Sequence, residues 1–506
     1  MFRFLLAIFV FLLLSCKPNL NNPSDPKNED FWVRTVLQSF LLNDGCRNFS
    51  AWERRYGTGS YLTYGTDFLF LSNGDIIVVG FTEDPIIPGD TKGITSDFQG
   101  TPGSTLNLFL LRLSRSNGDI MWVDYLGQGF SNLNFNPRLH QFTNGDLAIS
   151  FLAIGNGISL PNMISGKADA NKSVYLGRHS TNGNRIWYTY LDSLDIDNYL
   201  VTTVDSFDQF HFFVTLVGTN GHASFPELPA VTNSSLGSTS DTDILSGIVK
   251  GDGLGRYQTY ISSANNDFAF NVTYANGFVS LAGTTAGSIS GSTHPNPGTD
   301  RPFITKLNVN TGNREFLIYN GHSSASYGDS RQLIVSQNAI LQLVTTNLSW
   351  SSLVREPMQS DTEHYAFAQY DLIGNLQWLS FLGSDLGDIA IFEEPPTIFD
   401  LTTGLWRNRS RVPNTISRYS SGSAVATGEG SGTYQIADVY IQPNNGTFEK
   451  IRYSSNLTSP TIKRTDQMKE LCTGKLGYMD RIYTTGSYHS YTTRDPNFFG
   501  MKVPSV

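Results

Sequence analysis

From Ala51 onward, short apolar, β-branched or aromatic runs alternate with polar turns, and the alternation itself recurs. The clearest recurrence is a hairpin with landmark residues 13 positions apart: Phe109 and Trp122, Val174 and Trp187, Ile244 and Tyr257, Phe303 and Phe316, Tyr365 and Trp378, and Ala437 and Lys450. Asn117-Gly118, Asn182-Gly183, Gly253, Gly312, Gly374 and Asn445-Gly446 mark the turns between them. Three residues after each second landmark stands another aromatic: Tyr125, Tyr190, Tyr260, Tyr319, Phe381 or Tyr453. Lys450 is the single departure from an aromatic at the second landmark itself.

A second hairpin precedes each of these, at 67–82, 138–153, 201–218, 270–285 and 331–346, with weaker copies at 397–428, where an insertion separates the strands, and at 467–486. Two hairpins make a four-stranded unit of 59 to 72 residues, its extra length falling between the second and third strands. Trp52 with Gly57 matches a fourth strand without its first three, and Phe498 to Val503 a third strand without its fourth. One incomplete unit at each end makes one complete unit, and such closure leaves no free sheet edge. The expected fold is all-β: a seven-bladed β-propeller of four-stranded antiparallel blades over 51–506, closed by pairing of the N- and C-terminal strands.

Units with an apolar strand, Asn-Gly, then V-x-G-x-T, a loop such as TSDFQGTPGST (95–105) and a segment such as NLFLLRLSRSNGDIMWVDYLG (107–127) resemble the bacterial β-propeller repeat known as SBBP. The resemblance covers most of 51–503 and is closest in the first five units. Units six and seven fit poorly, with Arg407, Arg409, Arg411 and Arg418 crowded into the insertion. The resemblance implies a secreted or surface-attached propeller and no particular activity, because propellers host both enzymes and binding modules.

The N-terminal pattern differs. Arg3 precedes an apolar run from Phe4 to Leu14, too short to span a bilayer and matching a secretory signal. Leu13-Leu14-Ser15-Cys16 resembles a bacterial lipobox, which implies cleavage after residue 15 and lipidation of Cys16. Residues 16–30 read as a lipidated tether, and Lys17 in place of Asp points to the outer membrane, on its periplasmic side or at the cell surface. Trp32, Val33, Val36, Leu37, Phe40 and Leu41 have the spacing of a short helix within 31–50.

A net charge of -9 with only 16% charged residues offers no basic footprint, so nucleic acid is excluded as a partner. The eight histidines show no HExxH or paired ligand spacing, and neither G-x-S-x-G nor a phosphate loop occurs, so no catalytic residue, metal or cofactor is assigned. Asp192, Asp195, Asp197 and Asn198 suggest a calcium loop but lack its Gly and closing Glu, which leaves a solvated loop as the alternative. Arg407, Arg409, Arg411 and Arg418 read as an exposed loop or a contact for an acidic partner. With Cys16 lipidated, Cys46 and Cys472 remain as a candidate disulfide, two free thiols being the alternative. The chain is expected to be a monomeric, lipid-anchored binding or adhesion module for a protein or glycan, presented on the loops 83–106, 154–172, 219–242, 286–300 and 347–363. The alternative is an extracytoplasmic enzyme acting on a polymer such as a glycan, which needs carboxylates converging on the inner strands.

Overall fold

The computed structural model describes residues 51–503 except 58–59, 86, 88–97, 99, 129–136, 154–161, 166–171, 193–195, 218–224, 226–227, 231–240, 290–300, 310–311, 321–327, 337, 347–363, 384–396, 401–402, 413–417, 420–424, 428–434, 457–461, 473–474 and 484–497. The signal segment, Cys16, the tether, the expected helix and Cys46 lie outside the described residues.

Every regular element among the described residues is a strand. The strands form seven sheets, each built on four antiparallel strands. In the first, blade 1, the order from the inside outward is Thr63–Phe70, Ile76–Thr82, Asn107–Leu113 and Ile120–Gln128. Blades 2 to 7 follow in chain order, with innermost strands Arg138–Gln141, Ile196–Val204, Asp267–Ala275, Gly328–Val335, Thr397–Asp400 and Ile462–Cys472. Each innermost strand touches the next, and that of blade 7 touches that of blade 1, so the sheets stand in a ring. This is a β-propeller. Blade 7 takes its outer strand from the start of the chain: Trp52–Tyr56 pairs antiparallel with Phe498–Val503, Trp52 opposite Val503 and Tyr56 opposite Phe499.

Connection lengths separate the two faces. The turns from first to second strand and from third to fourth run from two to six residues, whereas the connections from second to third strand run from 14 to 24. Alternating strand directions place all the short turns on one face. The long connections start and end on the other face, which they share with the links between blades, and parts of those in blades 2 and 6 run along the outer strand of their own blade.

Two expectations are corrected in blade 6. Thr397–Asp400 and Leu405–Val412 pair directly, so no insertion separates the strands of this hairpin. Arg407, Arg409 and Arg411 stand in the second strand rather than in an exposed loop, because the extra residues, 413–434, follow it as in every other blade. Part of that connection covers sheet edges: Arg418–Tyr419 pairs with the outer strand of blade 5, and Val425–Thr427 runs parallel to the outer strand of blade 6. A covered edge is closed to pairing with other chains.

The second landmark aromatics act between blades. Each lies on the turn glycine of the next blade's outer hairpin: Trp122 on Gly183, Trp187 on Gly253, Tyr257 on Gly312, Phe316 on Gly374, Trp378 on Gly446, and Trp52 of blade 7 on Gly118 of blade 1. A Cβ at Gly183 would come within 3.2 Å of the Trp122 ring, and φ there is +85°, so the turn requires glycine for both reasons. Polar groups reinforce the contact. The indoles of Trp52, Trp187 and Trp378 donate to the carbonyls of Arg115, Gly251 and Pro443 at 2.7 to 3.0 Å. Arg112, Arg178 and Gln369 reach across to Thr181, Gly251 and Pro443 in the same way.

Lys450 now has a physical reason. Blade 7 has no turn between its third and fourth strands, because these are the two ends of the chain, so blade 6 faces no turn glycine for an aromatic to cover. Trp378→Ala is therefore expected to cost about 3–5 kcal/mol, whereas Lys450→Trp is expected to shift stability by no more than about 0.5 kcal/mol. Denaturant unfolding of the two variants checks the contrast.

Candidate functional site

The long-connection face is built from the outer strands upward. The second aromatic position pins the root of its own blade's long connection: Tyr125 Oη donates to the carbonyls of Asp84 and Pro85, and Tyr319 Oη accepts from the amide of Ile289. Phe98 packs edge-on against Tyr125. In blade 3 a buried glutamine does this: Gln258 accepts from the amide of Phe225 and donates to the carbonyls of Phe225 and Pro229. In blade 2 the connection pairs with the outer strand at Met163 and Tyr188. The roots are thus fixed while the length beyond them varies, an arrangement suited to displaying variable loops on a rigid frame.

Between blades 3 and 4 on this face, the link Ser262–Asn266 ties several roots together. Asn266 Oδ1 accepts from the amide of Thr242, and Ser263 donates to Asp267 through both its amide and its hydroxyl. Burial raises the Asp267 carboxyl to about 7, against the hydrogen bonds from Thr285 and Ser263 that favour its ionised form. The carboxyl is shielded from solvent and serves the link rather than an approaching substrate.

At the hub, blade 7 meets blades 1 and 2 through one ion pair. Lys469 Nζ lies 2.6 Å from Asp67 Oδ1, and the other Asp67 oxygen accepts from the amide of Leu139. Burial alone would raise the Asp67 carboxyl, but Lys469, Arg138 and these hydrogen bonds hold it below the usual carboxylate range. Beside it His140, bonded to Thr202, is pushed down to about 4 by burial, so it is neutral near pH 7. Across blades 3 and 4, Tyr199 packs edge-on against Phe268 and Phe270, all three partly exposed. Phe270 sits on a β-bulge, and blades 1, 5 and 7 bulge at the corresponding place on their inner strands. Sequence reasoning missed this aromatic group. Its signal was the pair Phe268 and Phe270 on one side of a strand.

The arginines meet at the seam between blades 6 and 7. Arg407 and Arg409 share the buried carboxylate of Asp438 at 3.2 and 2.9 Å, Arg407 donates to Tyr478 Oη at 2.8 Å, and Arg409 lies over the Tyr478 ring. Burial lowers the Arg407 pKa, but Asp438, Tyr478 and Tyr440 outweigh it and hold the guanidinium more firmly charged than usual. This cluster occupies the one seam without an aromatic on a turn glycine. Arg411 and Arg418 lie in strands whose side chains are outside the described residues, as is the side chain of Cys472, the last residue of its inner strand. Asp192 accepts from Ser173 Oγ, and Asp197 and Asn198 belong to a strand, while Asp195 is outside the described residues. Among the described residues no group of three His, Cys, Asp or Glu side chains is arranged to hold a metal ion. No helix among them is long and apolar enough to cross a membrane.

No family model and no curated protein matches the sequence, so the repeat family stands as a resemblance. Solved structures match in fold. The Dos1 propeller is similar at a TM-score of 0.40 and 8% identity, covering 92% of this chain and 96% of that one. The Neurospora crassa Pan2 WD40 domain is similar at 0.40 and 8%, covering 87% and 89%. NanB sialidase from Streptococcus pneumoniae is similar at 0.39 and 10%, covering 88% of this chain and 69% of that one.

Proposed function

We propose that this chain is a lipid-anchored extracytoplasmic propeller of the outer membrane that binds a protein or glycan on its long-connection face. The observation that carries the reading is the asymmetry of the two faces: connections of 14 to 24 residues gather on one, their described roots pinned to the outer strands. A rigid ring with variable loops on one side limits the ordering cost of binding to the loops themselves. The partly exposed Tyr199, Phe268 and Phe270 supply aromatic surface at the hub for the apolar face of a sugar or side chain. Cys16 carries the anchor.

Two measurements test this. Cys16→Ala is expected to move the protein from the detergent phase to the aqueous phase on phase partitioning. Unchanged partitioning would end the anchor. Screening the full-length protein against glycan arrays and extracellular proteins is expected to yield a ligand whose binding weakens at least tenfold when the long connections of two neighbouring blades are exchanged for short Gly/Ser links. Binding unaffected by those exchanges contradicts the assignment of the face.

A further inference from the structure

We propose that the short-turn face lies against a zwitterionic phospholipid surface, with Phe207, Leu254 and Ile373 entering the headgroup boundary. The inference rests on the lipid anchor proposed above and adds which face meets the membrane.

The first observation is where the anchored segment joins the ring. Trp52 donates to the carbonyl of Arg115 and covers Gly118, both in the short turn between the third and fourth strands of blade 1. The chain that carries Cys16 therefore enters the propeller at the rim of the short-turn face. The stretch read as tether, 17–30, would have a root-mean-square span of roughly 20 Å as a flexible chain. The anchor thus holds this face near the bilayer and leaves the long-connection face pointing away, free for a ligand.

The second observation is independent of the anchor. Phe207 is 61% exposed in the first turn of blade 3, Leu254 is 55% exposed in its second, and Ile373 is 73% exposed in the second turn of blade 5. The next residues of this kind, Met121 and Ile186, begin the outer strands of blades 1 and 2 just beyond the same turns. Ile164 lies against Gly253 in the second turn of blade 3, so six of the seven large apolar side chains exposed among the described residues gather at this end of the ring, Val217 being the other. Apolar tips on a polar face are the form in which a protein meets the boundary between headgroups and acyl chains.

Charge selects the lipid. Asp119, Asp205, Asp208, Asp252 and Asp371 lie in these turns, against Arg115 and Lys250, so their described residues form no basic patch to recruit anionic headgroups. Contact through apolar tips beside carboxylates favours a neutral surface and is insensitive to salt.

The test uses the full-length lipidated protein in phosphatidylcholine vesicles containing a phosphatidylcholine with a photoreactive diazirine on its acyl chain, followed by flotation and peptide mapping. Adducts are expected in the turns 205–209, 250–254 and 371–375, unchanged by high salt and reduced when phosphatidylglycerol replaces half of the lipid. A variant combining Phe207→Ser, Leu254→Ser and Ile373→Ser is expected to float as before and to lose these adducts. Floating protein with adducts only before Trp52, on the long-connection face, or increased by phosphatidylglycerol overturns the docking while the anchor stands. Protein that does not float overturns both, because the docking depends on the tether.

Discussion

Removing residues 31–57 is expected to make the propeller aggregate. The deletion takes away the strand Trp52–Tyr56, which is hydrogen-bonded to Phe498–Val503 along its whole length. It also removes the Trp52 ring from Gly118 and the Tyr56 hydroxyl from the Gly118 carbonyl, uncovering the outer hairpin of blade 1. Tyr56 packs in one buried cluster with Met479 and Met501 of blade 7 and with Phe68, Phe109 and Tyr125 of blade 1, so one strand serves two blades. An unpaired edge beside uncovered apolar surface is a template for self-association. Light scattering after size exclusion reads the outcome, and a monomeric variant with an unchanged Tm contradicts it. Removing 17–29, read as tether, is expected to leave Tm unchanged.

The second large effect is expected at the hub. Lys469→Ala leaves the buried Asp67 carboxylate bonded only to the amides of Phe68 and Leu139, with Arg138 the remaining nearby cation. Losing one partner of a buried pair costs about 3–5 kcal/mol, and here about 3, because Lys469 is one-third exposed and solvent screens part of the interaction. The pH dependence is the sharper readout. In the wild type Asp67 is held below its ordinary value of 3.8, so the pair stabilises above that pH and the contribution is lost as pH falls through the folded value. Without Lys469, burial dominates and the folded pKa rises above the unfolded one. The variant then gains stability as pH falls from 7 towards 4, a range in which Asp67 of the wild type is ionised in both states and contributes almost no slope. Asp67→Asn together with Lys469→Met is expected to recover most of the loss. A variant as stable as wild type at pH 7, with the same slope, contradicts the assignment.

The sequence was legible where one side chain does one job in every repeat. The aromatics at 122, 187, 257, 316 and 378 recur because each must cover the next turn glycine, and those at 125 and 319 because a loop root hangs from them. Lys450 stood out as an exception before its reason was visible. That reason lies in topology, since only the folded ring shows that blade 7 has no such turn. The arginines at 407 and 409 misled for a related reason. Charge crowding reads as exposure, whereas here Asp438, 29 residues after Arg409, pairs with both, and Tyr478 in the next blade covers them. The inner-strand bulges and the edge strands at 418–419 and 425–427 left no pattern, being too short for periodicity and set by contacts distant in the chain.

Closure of the ring requires the first and last strands to share one sheet. Glu53 and Lys502 are directly opposite in the pairing of the first and last strands. Replacing both with cysteine and mapping disulfides in the oxidised, unreduced protein tests the claim directly. A bond between positions 53 and 502, with Tm raised over the reduced form, is the expected result. Thiols that stay free at both positions, or that pair only with other cysteines or other molecules, would show that the ring is not closed by its termini.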